Sequence, residues 1–520
     1  MWVTDMRVKE KPKHEYKIIA CLWGMACLLL LTLVFFCSHE KYAAKNTFYS
    51  PFILAPIGFA ILCTLFFLSK RMRVYKGLPI IVGLVFLSFQ ILCVHEYYFV
   101  SGWDSRTMIT IGTKAVEDVN DIYIRSYLSR YPNNMLLSWL YAKAFSFVDS
   151  RGQSWILGME VILFAQCIIS FATGLITFKL SETVTENRST AFFTYLVYLL
   201  LIGLSPWVSI AYSNSAALFF PALILWLYVS KTENTTMRVI KWIGVGALSW
   251  LGYHIKPTVL IPLIAILCIE TRDMLRHRNY TKSLRSVLLI FLGVLISNLL
   301  ILGVNSDFGC DLDPEQRFGI AHFFAMGMNE ERMGVYSQED VDYSMSFQTV
   351  RERDQADWNL AKDRLAKMSA GDLLRLWKKK LLTAFHDGTF AWTREGNFFL
   401  TVREFTSKPS QILRSFYYPE GTNYKIFTNF EQAIWLAVLL TSLGAALDGN
   451  KEGRAIMLTL LGLILYLILF ETRARYVYIF VPLFLMLSSC GMLTIKKILC
   501  SKFRFWKSLS PQPADTSTHS

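Results

Sequence analysis

Residues 18–37 read IIACLWGMACLLLLTLVFFC, a stretch with no charged side chain. About 20 apolar residues in a helix cover the ~30 Å hydrocarbon core of a bilayer. Arg7, Lys9, Lys11, Lys13 and Lys17 precede the stretch. No small-residue cleavage site follows it and more such runs do, so it reads as an uncleaved first span. Working outward, further apolar runs fall at about 51–68, 78–98, 156–178, 190–206, 214–230, 239–252, 257–271, 286–304, 430–447, 455–470 and 477–495. The fold class expected is therefore an all-α polytopic membrane protein with about 12 transmembrane helices. The runs at 239–252 and 257–271 are short, which allows a re-entrant hairpin.

The chain has 520 residues, of which 53% are hydrophobic and 15% aromatic, and a formal charge of +14. The charge alone would suit nucleic acid, but its placement does not, because the basic residues sit in short loops between apolar runs. With the N-terminus in the cytoplasm, the cytoplasmic segments hold 26 Lys and Arg and the short outer loops hold 5. That asymmetry follows the positive-inside rule and puts both termini in the cytoplasm of a cell membrane. Ten cysteines, mostly within the apolar runs and without a CxxC pair, read as small core residues. No P-loop, GxGxxG after a strand, HExxH or GxSxG elbow is present.

This topology leaves two long segments outside, at about 98–155 and 305–429. They divide the chain into a membrane module (1–304) with an outer loop, a large outer segment (305–429), a second membrane module (430–507) and a polar tail (508–520) expected to be disordered. Both outer segments contain amphipathic stretches. After Asp372, residues Leu373, Leu374, Trp377, Leu381 and Phe385 recur at helical spacing, with Lys378, Lys379 and Lys380 on the other face. Ser369 or Asp372 can cap such a helix. It suits either the headgroup layer or a packed position on its own domain.

The candidate functional residues lie mostly at outer turns. Gly102-Trp103-Asp104-Ser105-Arg106 follows the third run directly. At the membrane surface Asp104 avoids the cost of a charge at the bilayer centre, ~2.5–3.5 kcal/mol. It can act as a general base beside Arg106, or simply cap a helix. In Arg130-Tyr131-Pro132-Asn133-Asn134, the amides of Asn133 and Asn134 either bind hydroxyls or form a turn and helix cap. Lys256, alone at a short tip, either holds a phosphate or snorkels to water. In Glu471-Thr472-Arg473-Ala474-Arg475-Tyr476, two arginines run against the charge bias. Their forks suit a phosphate, unless they pair with Glu471. His322 and Asp387, the latter in His386-Asp387-Gly388-Thr389, are candidates for substrate contacts, although a lone His is more often structural.

These features together resemble the GT-C class of polyprenyl-phosphate-sugar-dependent glycosyltransferases, in the bacterial branch related to protein O-mannosyltransferases and lipid A aminoarabinose transferases. The resemblance covers most of the chain. It rests on many spans, an acidic motif in an early outer loop (Gly102-Trp103-Asp104), helices lying along the membrane in that loop, and a late Arg475-Tyr476 motif. Tyr131-Pro132-Asn133-Asn134 and His386-Asp387-Gly388-Thr389 also resemble segments of Gram-positive cell-envelope members.

The resemblance implies a polyprenyl-phosphate sugar donor, inversion at the sugar, Asp104 as base, and Lys256, Arg473, Arg475 and Tyr476 at the donor phosphate. It implies Trp103, Arg106, Asn133, Asn134, His322 and Asp387 as substrate contacts. The acceptor would be a cell-envelope glycan, teichoic-type polymer, protein or lipid. No cofactor is assigned. Many members carry a second acidic residue where this chain has Ser105 and Arg106, which weakens the expectation of a divalent metal. Tyr212-Ser213-Asn214 stands where Tyr-Ser-Asp is often expected, so a second carboxylate contact is missing. The competing functions are a flippase or transporter of lipid-linked sugars, and a polysaccharide polymerase or ligase.

Overall fold

The computed structural model describes residues 14–150, 152, 155–277, 280–394, 401–402, 407–447 and 452–509. Most of the polar tail expected at 508–520 lies outside the described residues. The chain opens with three helices, α1 (His14–Phe36), α2 (Pro51–Arg71) and α3 (Leu78–Glu96). Ser50 caps α2 by accepting from the Phe52 amide, and Pro51 sits where a helix needs no N–H. Strand β1 (Phe99–Val100) leads into α4 (Trp103–Lys114), α5 (Ile122–Arg130) and α6 (Met135–Asp149). Then come α7 (Trp155–Thr185), α8 (Arg188–Tyr198), the short α9 (Ser213–Ala216), α10 (Phe220–Val229), α11 (Thr235–Tyr253), α12 (Leu260–His277) and α13 (Tyr280–Phe308). The second long segment holds α14 (Ile320–Gly327), α15 (Gln338–Met345), α16 (Val350–Lys367), α17 (Ala370–Phe385), strand β2 (Thr401–Val402) and α18 (Lys408–Tyr417). The chain closes with α19 (Tyr424–Ser442), α20 (Gly453–Leu469), the short α21 (Arg475–Tyr478) and α22 (Val481–Leu509).

Among the described residues, seven helical stretches are long and apolar enough to cross a membrane: 17–36, 51–71, 78–96, 155–185, 283–308, 424–447 and 481–500. Shorter apolar helices cover 188–203, 213–229 and 453–469. The remaining two apolar runs are occupied by α11 and α12, both longer than the hydropathy suggested. The 19 residues of α11 extend about 28 Å, although neither it nor α12 is among the seven long apolar stretches. Helix α11 packs closely against α13. A Cβ at Gly246 would lie 2.0 Å from the Ile290 carbonyl oxygen, and one at Gly293 would lie 2.0 Å from that of Ile243. Such small-residue crossings let membrane helices touch backbone to backbone.

The fifth and sixth runs are broken. After Tyr198 the backbone widens into a π-helical turn over Leu199–Gly203, and Pro206 ends the helix. The irregular stretch through 205–214 carries Tyr212 and Asn214 to the functional site.

The two long segments pack together. Strands β1 and β2 pair antiparallel, with Phe99 opposite Val402 and Val100 opposite Thr401. Arg353, wholly buried, donates to the carbonyls of Glu315, Ser344 and Phe347 at 2.8–2.9 Å. Helix α17 begins with a reciprocal capping box between Ser369 and Asp372. Of its apolar stripe, Leu381 and Phe385 are buried, in a helix that packs against α1 and α20, Leu373 and Trp377 are half-buried, and Leu374 near its start is exposed. Lys380, expected on the polar face, is also buried. It donates to the carbonyls of Gly327 at 2.8 Å and Ile468 at 2.7 Å.

Candidate functional site

Helix α4 starts at Trp103, with Gly102 as its N-cap in an extended conformation and no side-chain capping bond. Asp104 therefore does not cap the helix. Its carboxylate lies in the first turn, where the helix dipole favours negative charge. It accepts hydrogen bonds from the Tyr127 hydroxyl at 3.2 Å and the Tyr212 hydroxyl at 3.0 Å. The side chain remains 51% exposed.

Each tyrosine is held in turn. Asn134 donates to the Tyr127 hydroxyl at 2.9 Å, and Asn133 donates to the Asn134 side-chain oxygen at 3.1 Å. Burial, then the charge of Asp104, pushes the Tyr127 hydroxyl well above its usual pKa, so it stays a protonated donor. The Tyr212 amide donates to Gln166, whose Nε2 also donates to the carbonyls of Val208 and Ile210. Gln166 thus fastens the irregular strand to α7. Ser105 joins the first turn of α4 to the Ala211 carbonyl at 2.8 Å.

The cationic wall comes from two other turns. Arg475 faces Asp104 with Nη2 3.9 Å from Oδ2, and its guanidinium lies over the rings of Tyr212 and Tyr476 at 5.1 and 5.4 Å. Lys256 is buried, hydrogen-bonded to the Asn214 side-chain oxygen, and lies over the other ring neighbour Tyr476 at 4.8 Å. It does not snorkel. Arg473 stands 3.7 Å from Glu471, so part of its charge is met internally. Near Lys256, the Asn214 amide nitrogen and the Thr258 hydroxyl are buried without a hydrogen-bond partner among the described residues. The loop carrying the arginines is anchored by Thr472, whose amide donates to the Gly334 carbonyl at 3.0 Å, and by Lys380 at Ile468. Gly334 adopts φ +70°, a left-handed conformation that glycine takes without strain.

Asp104, Asn133, Asn134, Lys256, Arg475 and Tyr476 are thus gathered from four separate stretches of chain, with Arg473 two residues before Arg475. Other expected contacts are not. Arg106 is exposed, and the guanidinium that faces Asp104 is that of Arg475. The side chain of Trp103 lies outside the described residues. His322 is buried against Phe318 at a ring distance of 4.1 Å, with Nδ1 2.7 Å from the Ser344 hydroxyl. Desolvation lowers its pKa to about 4, so it is neutral, and Nδ1 also lies 4.0 Å from the Asp357 carboxylate. Asp387 accepts from the amides of Thr389 and Ala391 and from the Thr389 hydroxyl. It clamps a turn in which Phe390 and Ala391 both take positive φ, a strain of order 1–3 kcal/mol each. Asp387 is committed to that turn and is buried.

Tyr127, Gln166 and Tyr212 were not singled out as site residues by sequence reasoning. The only signal was the Tyr212-Ser213-Asn214 segment, where Asn214 turns out to hold Lys256. Glu431 was missed as well. It is wholly buried in α19, with Oε2 accepting from Trp392 Nε1 at 3.0 Å. Among the described residues no cluster of three or more His, Cys, Asp or Glu could hold a metal ion.

Residues 16–495 match the family described as conserved hypothetical integral membrane protein. The chain belongs to that family. It is accordingly a multi-pass integral membrane protein, consistent with the seven long apolar helices. The family description carries no activity, so the site must be read from its geometry. No curated protein and no solved structure matches the chain.

Proposed function

We propose that this membrane protein is a glycosyltransferase that moves a sugar from a polyprenyl-phosphate donor to a cell-envelope acceptor, with inversion. The reading takes all twelve apolar helical stretches as spans of a GT-C-like fold, with cytoplasmic termini and Asp104 at the outer face of a bacterial membrane. The observation that supports it best is the half-exposed carboxylate of Asp104 faced by Arg475 at 3.9 Å, with Lys256 over the same Tyr476 ring that Arg475 overlies. Three cations against Asp104 and Glu471 leave the cluster with an excess positive charge suited to one phosphodiester.

In this mechanism the acceptor hydroxyl oxygen attacks the anomeric carbon. The bond from that carbon to the phosphate oxygen breaks, and Asp104 takes the hydroxyl proton. A carboxylate has about four lone-pair sites, so the bonds from Tyr127 and Tyr212 aim it without exhausting it. The phosphate leaves with the bonding electrons, and Arg475, Arg473 and Lys256 stabilise its growing charge. An unmatched buried polar group costs ~1–3 kcal/mol, and phosphate oxygens would satisfy the Asn214 and Thr258 groups.

A second reading, a flippase of lipid-linked sugars, draws on Glu431 and on the broken fifth and sixth runs. Buried ionisable groups and interrupted helices are features of transport pathways. Incubating membranes that contain the protein with a panel of radiolabelled polyprenyl-phosphate sugars and lipid-pyrophosphate oligosaccharides separates the readings. Transfer of label to an acceptor, with release of polyprenyl phosphate, is expected. Use of lipid-pyrophosphate oligosaccharides alone would indicate a polymerase or ligase. Movement of donor across the bilayer without transfer would indicate a flippase.

A further inference from the structure

A cavity of about 950 Å³ lies at the opposite end of α11 from Lys256. Its lining includes Arg238 and Lys241 near the start of α11 and Arg285 near the start of α13. Lys256 follows the other end of α11, so cavity and site stand about 28 Å apart, the length of that helix.

The cavity is electrostatically one-sided. Four lining residues are basic, namely Lys231, Arg238, Lys241 and Arg285, and two are acidic, Glu270 and Asp273. Both acids are engaged: Glu270 accepts the Tyr228 hydroxyl at 3.1 Å, and Asp273 pairs with Arg454 at 3.1 Å. Lys231 is drawn outward to Glu452 at 3.1 Å. Among the described residues no carboxylate pairs with Arg238 or Arg285. Lys241 lies over the Trp242 ring at 5.1 Å, and Trp242 packs edge-on to Tyr228 at 5.8 Å. Paired Trp and Tyr rings of this kind mark the level of lipid headgroups.

The neighbouring surface is apolar. On the same helix turns as the cationic side chains, Met237, Ile240, Leu284 and Leu288 are exposed. A ligand here meets cations at one end and an apolar surface at the other, which is the pattern of an amphiphile rather than of a free ion.

We infer that this cavity binds the phosphate headgroup of an anionic lipid, with Arg238, Lys241 and Arg285 as phosphate contacts and the acyl chains along the exposed faces of α11 and α13. The site is separate from the Asp104 cluster and does not depend on the glycosyl-transfer reading. Arg238 and Arg285 are the specificity-determining pair, because guanidinium groups suit phosphate oxygens, although Arg238 Nη2 also donates to the carbonyls of Thr232 and Glu233 at 3.4 Å.

The test uses the full-length protein in phosphatidylcholine nanodiscs doped with phosphatidylglycerol. Retained lipid is read by native mass spectrometry after release. Wild type is expected to retain phosphatidylglycerol selectively. The double variant Arg238→Gln/Arg285→Gln is expected to lose that retention about thirtyfold, since each cation near a membrane surface contributes about fivefold. Lys76→Gln, a basic residue outside the cavity, serves as control and is expected to behave as wild type. Where the double variant fails to fold, Arg285→Gln alone, at an exposed position, is expected to lose about fivefold. Equal phosphatidylglycerol retention in wild type and the folded cavity variants would overturn the inference. A parallel arm adds inorganic phosphate: displacement of the lipid only by large excess supports a headgroup site. Tight binding of inorganic phosphate with no selectivity among lipids would overturn it.

Discussion

Arg475 illustrates what a single side chain contributes to this site. Its guanidinium faces Asp104 while resting on two tyrosine rings, so its position is set by stacking as much as by charge. Lysine carries the charge but neither the planar fork nor the stacking surface. Arg475→Ala is therefore expected to raise the KM for the lipid-linked donor and lower kcat together, with Arg475→Lys recovering a minor part. Steady-state kinetics on the purified variants checks this, and wild-type constants for both would remove Arg475 from the site. Lys380 makes a different prediction. Burial lowers its pKa from about 10.5 to about 7, opposed in part by Glu471. Between those values the unfolded chain binds more protons at this residue than the folded one, so its contribution to stability rises with pH from about 7 towards 10.5. Thermal unfolding of Lys380→Met, compared with wild type across that range, should show a flatter pH dependence. At this scale the sequence was legible only in part. Asp104 and the arginines stood out because charges at outer turns are few. Their pairing did not, because residues so far apart in the chain meet only through the fold. His322 and Asp387 looked available because their partners, a Phe ring and the backbone of the residue's own turn, leave no mark in sequence.

Among the elements, long apolar helices were legible from hydropathy, because α1, α2, α3 and α13 face their surroundings with Leu, Ile and Phe on most sides. The broken stretches were not. The π-helical turn at Leu199–Gly203 is built of Leu, Ile and Gly, a composition shared with continuous apolar helix, so only Pro206 and the Ser-Asn-Ser of α9 mark the break. Helices α11 and α12 run longer than their apolar cores because their polar ends continue the helical ladder. The amphipathic pattern of α17 correctly indicated a capped helix, yet the later part of its apolar stripe, Leu381 and Phe385, serves protein packing while Leu374 stays exposed. Amphipathicity reports one apolar surface and does not say what covers it. The α11–α13 crossing yields a test at this scale. Gly246→Val places methyl groups against the Ile290 backbone, which cannot move aside as a flexible side chain would. Overpacking of this kind costs about 1–3 kcal/mol. An earlier thermal unfolding transition in detergent is expected, and an unchanged transition would show that the two helices separate at little cost.

For the whole molecule, basic residues in the short loops set the expected sidedness, with 26 in the cytoplasmic segments and 5 in the short outer loops. The long segments around α4–α6 and α14–α18 should then be outside. Cysteines introduced at Asn120 and Gln338 are expected to react with an impermeant reagent in intact cells, and one at Arg276 is not. The reverse pattern would invert the topology. If the assembled cluster performs sugar transfer with Asp104 as base, removing that base must slow the transfer itself. Base assistance is typically worth ~10²–10⁴ in rate. Asp104→Asn preserves size and keeps an oxygen to accept from Tyr127 or Tyr212, but it cannot take the acceptor's proton. Wild type and Asp104→Asn are compared in proteoliposomes, with labelled lipid-linked sugar and acceptor at the outer face. The account predicts normal folding and donor binding with transfer reduced at least about a hundredfold, whereas transfer by the Asn variant at a rate comparable to wild type would contradict it.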